Sequence, residues 1–354
     1  MKQILLLSLM TSCSRLPTAD PTPPPAASGT YFPPLTGQIW ETVTPESLGW
    51  NVPNFNAFVD YAGSTNTTAL IVLHRGRIVV ERYWNGWNTT TNSAIFSSTK
   101  TMVALMTGIA QERKLLTIDQ KVSDFLGTGW SKAPVAKENA ITIRHLLTMT
   151  SGLNDELLFA NEAGTTWYYN TPAYHKLIYV LQAAYKTTAF DAFTKNVLWQ
   201  PIGMQQSVWQ VNQPNIDLTI SCSGRDMARF GLLMLSGGNW NGVPVLGDAA
   251  YLTAQTTTAQ PNNAAYGYLT WLNGKASYQM PSFSPATVRT TAGKLIPDAP
   301  ADLMAALGAN DKKIYWVKSR DLVVIRHGPS AGTGRFALSD YDDQFWKKLM
   351  AALN

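Results

Sequence analysis

A hydroxyl and an amine three residues apart stand at the start of a long apolar segment. Ser97 and Lys100 begin it, and apolar residues follow at positions 102, 103, 105, 106, 109 and 110. On a helix these positions cover most of the circumference, which is typical of a helix buried in a large core. The sequence therefore predicts a central helix from Ser97 onward, around which the rest of the chain packs.

The same pair has a chemical implication. Residues i and i+3 share one face of a helix, so the Lys100 amine can reach the Ser97 hydroxyl. A serine hydroxyl is a poor nucleophile without a base within hydrogen-bond reach. A lysine can be that base where burial lowers its pKa. Ser97 is therefore the candidate nucleophile and Lys100 the candidate base. The alternative is a solvated helix start that has this spacing by chance.

The first residues have the features of a targeting signal. Lys2 precedes the apolar stretch 4–10, which is too short to cross a bilayer but fits a signal peptide. Residues 10–13, Met-Thr-Ser-Cys, resemble a bacterial lipobox, so residues 1–12 are predicted to be a lipoprotein signal peptide and Cys13 the lipid anchor. An ordinary secretory signal with an incidental cysteine is the alternative. The predicted location is the bacterial cell envelope, either lipid-anchored and facing the periplasm or secreted.

Two segments follow the predicted signal. Residues 13–37 are rich in Pro, Ala, Thr and Ser and predict a flexible tether. Residues 38–354 are predicted to form one folded domain. Lipidation of Cys13 would leave Cys222 as the single cysteine of the domain, which excludes an intrachain disulfide.

Composition and motifs exclude some classes of partner. The formal net charge of +5 is spread along the chain without a run of basic residues, so no nucleic-acid partner is predicted. The sequence has no C-x-x-C or H-E-x-x-H motif, and neither a metal nor a cofactor is predicted.

Apolar patterning predicts strands at both ends of the domain and helices between them. Residues 69–74 and 77–83 predict a β-hairpin, and residues 313–317 and 321–326 predict two adjacent strands. The predicted helices, besides the one from Ser97, are 142–149, 172–184, 224–235 and 340–353. This order is typical of an α/β (α+β) domain in which a sheet is flanked by helices and a mainly helical segment is inserted.

Five separated segments point together to one family. They are 96–100 (Phe-Ser-Ser-Thr-Lys), 141–153, 201–204 (Pro-Ile-Gly-Met), 223–231 and 266–271. In this order they resemble the serine hydrolases related to penicillin-binding proteins and class C β-lactamases, especially the branch of esterases and 6-aminohexanoate-dimer hydrolases. The resemblance implies a β-lactamase/transpeptidase-like fold, with an antiparallel sheet, flanking helices and a mainly helical insertion. It also implies that Ser97 is the nucleophile.

The second motif of that family is Tyr-x-Asn, and two registers compete for it here. Read literally, Tyr168 and Asn170 fit the motif. By spacing, Tyr169 fits instead, with Thr171 in place of the asparagine. Thr171 is a good N-cap, and the proline after it is favourable at the first helical position. A helix that starts there favours the register of Tyr169.

The resemblance implies roles for the residues of this second motif. Tyr169 would pass a proton between Ser97, the leaving group and the incoming water, with the Lys100 ammonium favouring its phenolate form. Thr171 would take the place of the substrate-binding asparagine.

The third motif of the family, Lys or His followed by x-Gly on a strand beside the site, is altered here. Residues 307–312 read Leu-Gly-Ala-Asn-Asp-Lys, without Lys or His at the motif position. Recognition of a carboxylate, such as that of a β-lactam or a peptidoglycan stem peptide, is therefore in doubt. A backbone N–H at Ala309 or Asn310 can still pair with that of Ser97 as an oxyanion hole, because such donors do not depend on the side chain.

One further motif and the four histidines are predicted to be structural. Residues 328–332 match the G-x-S-x-G elbow of α/β-hydrolases, but no histidine follows His327, so that triad cannot be completed in its usual order. His74, His145 and His175 border a hairpin turn or lie on predicted helices.

The sequence thus predicts an envelope serine hydrolase that acts through an acyl-enzyme on Ser97, without metal or cofactor. The expected substrate is a small-molecule ester or amide, or a fragment derived from the cell wall. One alternative is a β-lactamase or D-alanyl-D-alanine carboxypeptidase with the same chemistry. Another is a noncatalytic module that binds cell-wall fragments.

Overall fold

The computed structural model describes residues 29–187, 190–212, 217–332 and 338–353. The predicted signal peptide, the predicted anchor Cys13 and the first part of the predicted tether lie outside these residues. Within the described ranges, no helix is both long and apolar enough to span a bilayer.

Helices and short strands alternate along the described chain. The strands are β1 Ala69–His74, β2 Arg77–Tyr83, β3 Asn92–Ala94, β4 Val208–Asn212, β5 Asp217–Ser223, β6 Asn239–Trp240, β7 Val243–Pro244, β8 Trp271–Leu272, β9 Ser277–Gln279, β10 Thr290–Ala292, β11 Leu303–Gly308, β12 Lys312–Val317 and β13 Leu322–His327. The helices are α1 Val52–Ser64, α2 Thr99–Glu112, α3 Ser123–Leu126, α4 Val135–Glu138, α5 Ile143–Leu147, α6 Thr171–Ala184, α7 Phe190–Thr194, α8 Gln200–Ile202, α9 Gly224–Leu235, α10 Ala249–Gln255 and α11 Asp340–Leu353.

An antiparallel sheet in the order β2-β1-β13-β12-β11-β8 forms the centre of the described chain. The predicted hairpin is confirmed as β1 and β2, and the two predicted C-terminal strands are confirmed as β12 and β13. Ile325 of β13 pairs with Ile71 of β1 on one side and with Ile314 of β12 on the other. Strands from the two ends of the domain therefore meet in the middle of one sheet.

Helices cover both faces of this sheet. On one face α1 packs with α11, and the ring centroids of Phe58 and Phe345 lie 4.8 Å apart. On the other face α9 approaches so closely that a Cβ at Gly231 would lie 2.5 Å from Val323 Cγ1. Strands β11, β12 and β13 are buried along their whole length as a result. The fold is the β-lactamase/transpeptidase-like mixture of antiparallel sheet and helices that the sequence predicts.

The predicted central helix is α2. Every residue from Thr99 to Ala110 is buried, because α2 contacts β11 of the sheet as well as helices α6 and α10. The segment from α3 to α8 lies between β3 and β4 in the chain and is the predicted helical insertion.

The family motif that begins at Ser223 is a capping and packing unit. The Ser223 hydroxyl accepts the N–H of Asp226 at 3.1 Å and so caps α9. The Asp226 carboxylate in turn accepts hydrogen bonds from the loop 205–207. Arg225 donates two hydrogen bonds of 2.7 Å to Glu81 on β2. The motif therefore joins α9 to the sheet and to the loop that follows the helical insertion.

Three predicted boundaries differ from the structure by two residues or more. The central helix predicted from Ser97 begins as an α-helix at Thr99, after a 3-10 turn over Phe96–Ser98. The helix predicted over 142–149 is shorter, Ile143–Leu147, because Met149 has a φ of 57°, which no α-helix accommodates. The last part of the predicted tether packs on the domain, since the Tyr31 N–H donates to the Arg75 carbonyl at 2.9 Å. The folded part of the chain therefore begins before residue 38.

Candidate active site

Ser97 lies in a 3-10 turn, Phe96–Ser98, that leads directly into α2 and is called the nucleophile turn below. Phe96 has a φ of 48°, a left-handed conformation that costs a bulky residue about 1–3 kcal/mol. The Phe96 carbonyl accepts the Thr219 hydroxyl at 3.4 Å, so β5 helps to hold the turn. Ser97 is partly exposed while Ser98 is fully buried, so Ser97 is the accessible one of the two serines.

The nucleophile turn is fixed to the end of the sheet. The Ser98 hydroxyl lies 3.1 Å from the carbonyl oxygen of Ala306 and 3.2 Å from that of Lys312, and it can donate to either. Gly308, the last residue of β11, approaches the backbone just before the turn. A Cβ at Gly308 would lie 2.2 Å from the Ile95 carbonyl oxygen, so the position requires glycine.

Lys100 is in hydrogen-bond contact with Ser97. Its Nζ donates to the Ser97 Oγ at 2.9 Å, and the residue is only 3% exposed. The ring centroids of Tyr169 and Tyr174 lie 4.9 and 4.6 Å from the same nitrogen. The structure thus brings together the serine, the lysine and the favoured tyrosine of the sequence analysis.

Tyr169 is held by other aromatic rings. Its ring stacks on Trp271 with centroids 6.0 Å apart and an interplanar angle of 19°. The centroids of Trp167 and Tyr266 lie 6.2 and 6.4 Å from it. Because Trp271 belongs to the edge strand β8, this stacking fixes the position of Tyr169 relative to the sheet.

The surroundings of Tyr169 do not favour the predicted phenolate form. Burial raises the pKa of Tyr169 and outweighs the interaction with the Ser97 hydroxyl, which lowers it. The Lys100 nitrogen lies over the face of the Tyr169 ring. With its pKa above the ordinary value, Tyr169 is a protonated phenol near neutral pH and can donate a proton.

Tyr168 lies in a different environment from Tyr169. It is 4% exposed, and burial together with the Asp155 carboxylate raises its pKa. Its backbone N–H donates to the Met149 carbonyl at 2.9 Å. Asp155, which lies near the Tyr168 side chain, belongs to a loop of the helical insertion.

Asn170, and not Thr171, is the N-cap of α6. Its amide oxygen accepts the Ala173 N–H at 2.8 Å, and its amide nitrogen donates to the carbonyls of Leu153 and Asn154, both at 2.8 Å. The predicted cap at Thr171 is wrong because this amide satisfies the helix end and the preceding loop at once. Thr171 becomes the first helical residue. The Asn170 side chain already makes three hydrogen bonds within the fold. This argues against a substrate-binding role for it, and so against the literal Tyr-x-Asn register.

The predicted oxyanion donors lie at the turn between β11 and β12. Ala309 and Asn310 are exposed, and Asn310 has a left-handed φ of 58°. Arg326 donates to the Asn310 carbonyl at 3.2 Å, which fixes the backbone of the turn. Ala309 directly follows Gly308, which contacts the backbone just before the nucleophile turn. Along the chain, the N–H of Ala309 is therefore closer to this contact than the N–H of Asn310.

Asp311 is the centre of a buried hydrogen-bond network behind this turn. Its carboxylate accepts the N–H groups of Ala331 at 2.8 Å and Gly332 at 3.1 Å and the Ser339 hydroxyl at 2.7 Å. The Lys313 ammonium lies 3.2 Å away. Burial alone raises the pKa of Asp311, but Lys313 and these hydrogen bonds outweigh it and lower the pKa to about 2.

Replacing Asp311 with asparagine should lower the free energy of unfolding by about 2 kcal/mol at neutral pH, because an amide cannot accept from all these donors and the Lys313 charge loses a partner. The folded pKa is below the unfolded value of about 3.9. The stabilisation is therefore present above that value and is lost as the pH falls through about 2. Thermal denaturation of both proteins should show a Tm difference that shrinks toward pH 2. A difference that does not change with pH would contradict this account.

Lys312, the lysine nearest the altered third motif, has a buried side chain that contacts residues of the sheet and not the nucleophile turn. Its amine donates to the Gly328 carbonyl and lies 3.2 Å from His327 Nδ1. His327 Nε2 lies 3.3 Å from the Ser93 carbonyl, so it must be the protonated nitrogen. Burial and the neighbouring Lys312 lower the pKa of His327 to about 3. His327 is therefore a neutral, structural residue, as predicted.

Three other residues predicted to be structural lie in different surroundings. His145 Nδ1 accepts the Thr142 N–H at 3.1 Å in a capping box at the start of α5. His175 lies on α6, and burial together with Lys100 lowers its pKa to about 4. Ser330, the serine of the G-x-S-x-G match, lies on an exposed loop.

Sequence reasoning missed two parts of this site. The first is the aromatic wall around Tyr169, formed by Trp167, Tyr266 and Trp271. The second is the contact of Tyr174 with Lys100. The spacing of five residues between Tyr169 and Tyr174 favours the register of Tyr169, but it does not by itself show that both rings reach Lys100.

Comparison with known proteins identifies the family of the chain. The profile of the Beta-lactamase family matches residues 54–296, which is more than half of the chain. The chain therefore belongs to the Beta-lactamase family, whose fold is that of β-lactamase-related serine hydrolases.

Solved structures of low sequence identity share the fold. A putative 6-aminohexanoate-dimer hydrolase from Bacillus anthracis is 16% identical, with a TM-score of 0.63 over 84% of each chain. A putative beta-lactamase from Bacteroides dorei is 14% identical, with a TM-score of 0.67 over 86% of this chain and 99% of the other. EstCE1, a hydrolase with promiscuous acyltransferase activity, is 11% identical, with a TM-score of 0.62 over 88% of this chain and 99% of its own. No curated protein matches the sequence.

Proposed function

We propose that this protein is a serine hydrolase that cleaves an ester or amide bond through an acyl-enzyme on Ser97. The observation that supports this most directly is the hydrogen bond of 2.9 Å from Lys100 Nζ to the Ser97 Oγ. The protonated phenol of Tyr169 beside the same pair supplies the proton donor that such a reaction needs.

Ser97, Lys100 and Tyr169 can carry out the acylation step together. The neutral Lys100 amine takes the Ser97 proton as Oγ attacks the carbonyl carbon of the substrate. The carbonyl oxygen becomes an oxyanion, which the backbone N–H groups of Ser97 and of Ala309 or Asn310 stabilise. Tyr169 gives its proton to the leaving oxygen or nitrogen as the bond to the carbonyl carbon breaks. The phenol then regains a proton from the Lys100 ammonium.

Deacylation uses the same groups in reverse. Lys100, now neutral, receives a proton from the attacking water through Tyr169, and the water oxygen bonds to the acyl carbon. As the tetrahedral intermediate collapses, the bond from the Ser97 Oγ to the acyl carbon breaks and Oγ takes a proton from the Lys100 ammonium, which becomes neutral again. The products are a carboxylic acid and the free enzyme.

The substrate that fits best has an uncharged acyl group. The strand end beside the nucleophile turn, residues 306–308, carries no cationic side chain, and all three residues are buried. The amine of Lys312, the lysine nearest the motif, is directed to the Gly328 carbonyl. A substrate carboxylate would therefore find no cation at the position where the third motif of the family carries Lys or His. Thr171, partly exposed at the start of α6, is the proposed side-chain contact for the substrate.

A labelling and hydrolysis experiment tests this function. Intact-protein mass spectrometry after reaction with a fluorophosphonate should show one adduct, on Ser97, and short-chain p-nitrophenyl esters should be hydrolysed. A chromogenic cephalosporin, a D-alanyl-D-alanine peptide and a small linear amide complete the panel. Faster turnover of the cephalosporin or the peptide would identify the alternative β-lactamase or carboxypeptidase activity. A protein that is neither labelled nor active would be a noncatalytic binding module.

We also propose that Cys13 anchors the protein in the cell envelope through a lipid, on the evidence of the sequence Met-Thr-Ser-Cys at residues 10–13. Cys13→Ser should release the protein from the membrane fraction, or leave it unprocessed, while esterase activity is retained. Cell fractionation and immunoblotting measure this. Full membrane retention of a cleaved Cys13→Ser protein would exclude the lipid anchor.

A further inference from the structure

Two aromatic rings face the amine that contacts the nucleophile. Lys100 Nζ lies 4.9 Å from the ring centroid of Tyr169 and 4.6 Å from that of Tyr174. Both distances are within the range in which a cation is attracted to the face of a ring. Tyr169 has a proposed role of its own in proton transfer, whereas no step of the proposed reaction uses Tyr174.

Simple core packing does not account for a tyrosine at position 174. Tyr174 is 1% exposed, and its hydroxyl has no hydrogen-bond partner among the described residues. A buried hydroxyl without a partner costs free energy, so phenylalanine or leucine would fill this space at lower cost. The part of Tyr174 that makes a specific polar contact is the face of its ring, which lies against Lys100.

We propose that Tyr174 is a positioning residue that holds the Lys100 amine beside Ser97 and stabilises the positive charge that the amine gains during acylation. This inference rests on the proposed function. A lysine side chain has several rotatable bonds and little directional preference of its own. The ring face of Tyr174, 4.6 Å from the amine, limits the movement of the amine, while the hydrogen bond of 2.9 Å to Ser97 sets its direction.

The ring face, and not the hydroxyl, should therefore matter for the reaction. Tyr174→Phe keeps the ring and removes the unpartnered hydroxyl, so both the rate of fluorophosphonate labelling and kcat should stay within about threefold of wild type. Tyr174→Leu removes the ring and should lower both roughly tenfold to thirtyfold, the effect of a desolvated cation–π contact of about 2 kcal/mol. KM should change little, because Tyr174 acts through Lys100 and not on the substrate.

A series of fluorinated phenylalanines at position 174 separates this role from packing. Each added fluorine withdraws electron density from the ring face with little change in shape. The labelling rate should fall stepwise along the series while Tm stays constant. A rate that is constant or rises along the series would overturn the proposal, as would a Tyr174→Phe variant as slow as Tyr174→Leu.

The experiment distinguishes failure of this inference from failure of the proposed function. If wild type is labelled on Ser97 and the fluorinated proteins react at the wild-type rate, only the role of Tyr174 is wrong. If wild type is neither labelled nor active, the proposed function is wrong and the inference falls with it. Thermal denaturation of each variant confirms that the compared proteins are folded.

Discussion

Replacing Ser97 with alanine should abolish turnover and fluorophosphonate labelling, because it removes the hydroxyl that we propose forms the acyl-enzyme. Lys100→Met keeps most of the buried side-chain stem and removes the amine that lies 2.9 Å from Ser97 Oγ. It should lower kcat/KM by about three orders of magnitude or more, since the hydroxyl then lacks its base. Steady-state hydrolysis of a p-nitrophenyl ester measures both effects.

Ser98→Ala is the matched control for Ser97→Ala. The Ser98 hydroxyl contacts the Ala306 and Lys312 carbonyls, so its loss should lower stability by about 1 kcal/mol and leave most of the activity. An inactive Ser98→Ala protein together with an active Ser97→Ala protein would show that the nucleophile had been assigned to the wrong serine.

Removing the hydroxyl of Tyr169 should lower kcat roughly a hundredfold or more, because the leaving group then lacks its proton donor. Tyr169→Phe retains the ring, and with it the stacking on Trp271 and the contact with Lys100. Stability should therefore change little. The effect should be largest for amides, whose leaving nitrogen must be protonated, and smaller for esters of acidic phenols.

Tyr168→Phe is the matched control for Tyr169→Phe. The side chain of Tyr168 lies near Asp155 of the insertion, so most of the activity should remain. The reverse result would assign the proton transfer to Tyr168. If neither variant lost activity, Lys100 would be the only proton carrier and the mechanism would be that of a serine–lysine dyad.

Local patterns in the sequence were enough to predict four of the six strands of the sheet, the central helix and the serine–lysine pair, but not β8 and β11. The spacing of Ser97 and Lys100 belongs to one stretch of chain, and helical geometry alone brings the two side chains into contact. The strands β12 and β13 are likewise visible as apolar runs that begin within one residue of the predicted positions.

Contacts between distant residues account for what the sequence did not predict. Asn170 caps α6 because its amide can also reach the carbonyls of Leu153 and Asn154, which lie on another loop. The pKa of Tyr169 is raised because its side chain is buried, and the rings of Trp167 and Trp271 pack against it. The hydrogen-bond network around Asp311 includes residues as far along the chain as Ser339, so no local sequence pattern predicts it.

The contact of Gly308 with Ile95 limits which substitutions the proposed active site can accept. No side chain larger than hydrogen fits at position 308, where a Cβ would lie 2.2 Å from a carbonyl oxygen. The next residue, Ala309, is exposed and meets no such restriction. A library randomised for new substrate preference should therefore recover glycine at 308 in every active clone while position 309 varies. Selection for activity should therefore fix the residue at position 308 and leave the residue at position 309 free to change.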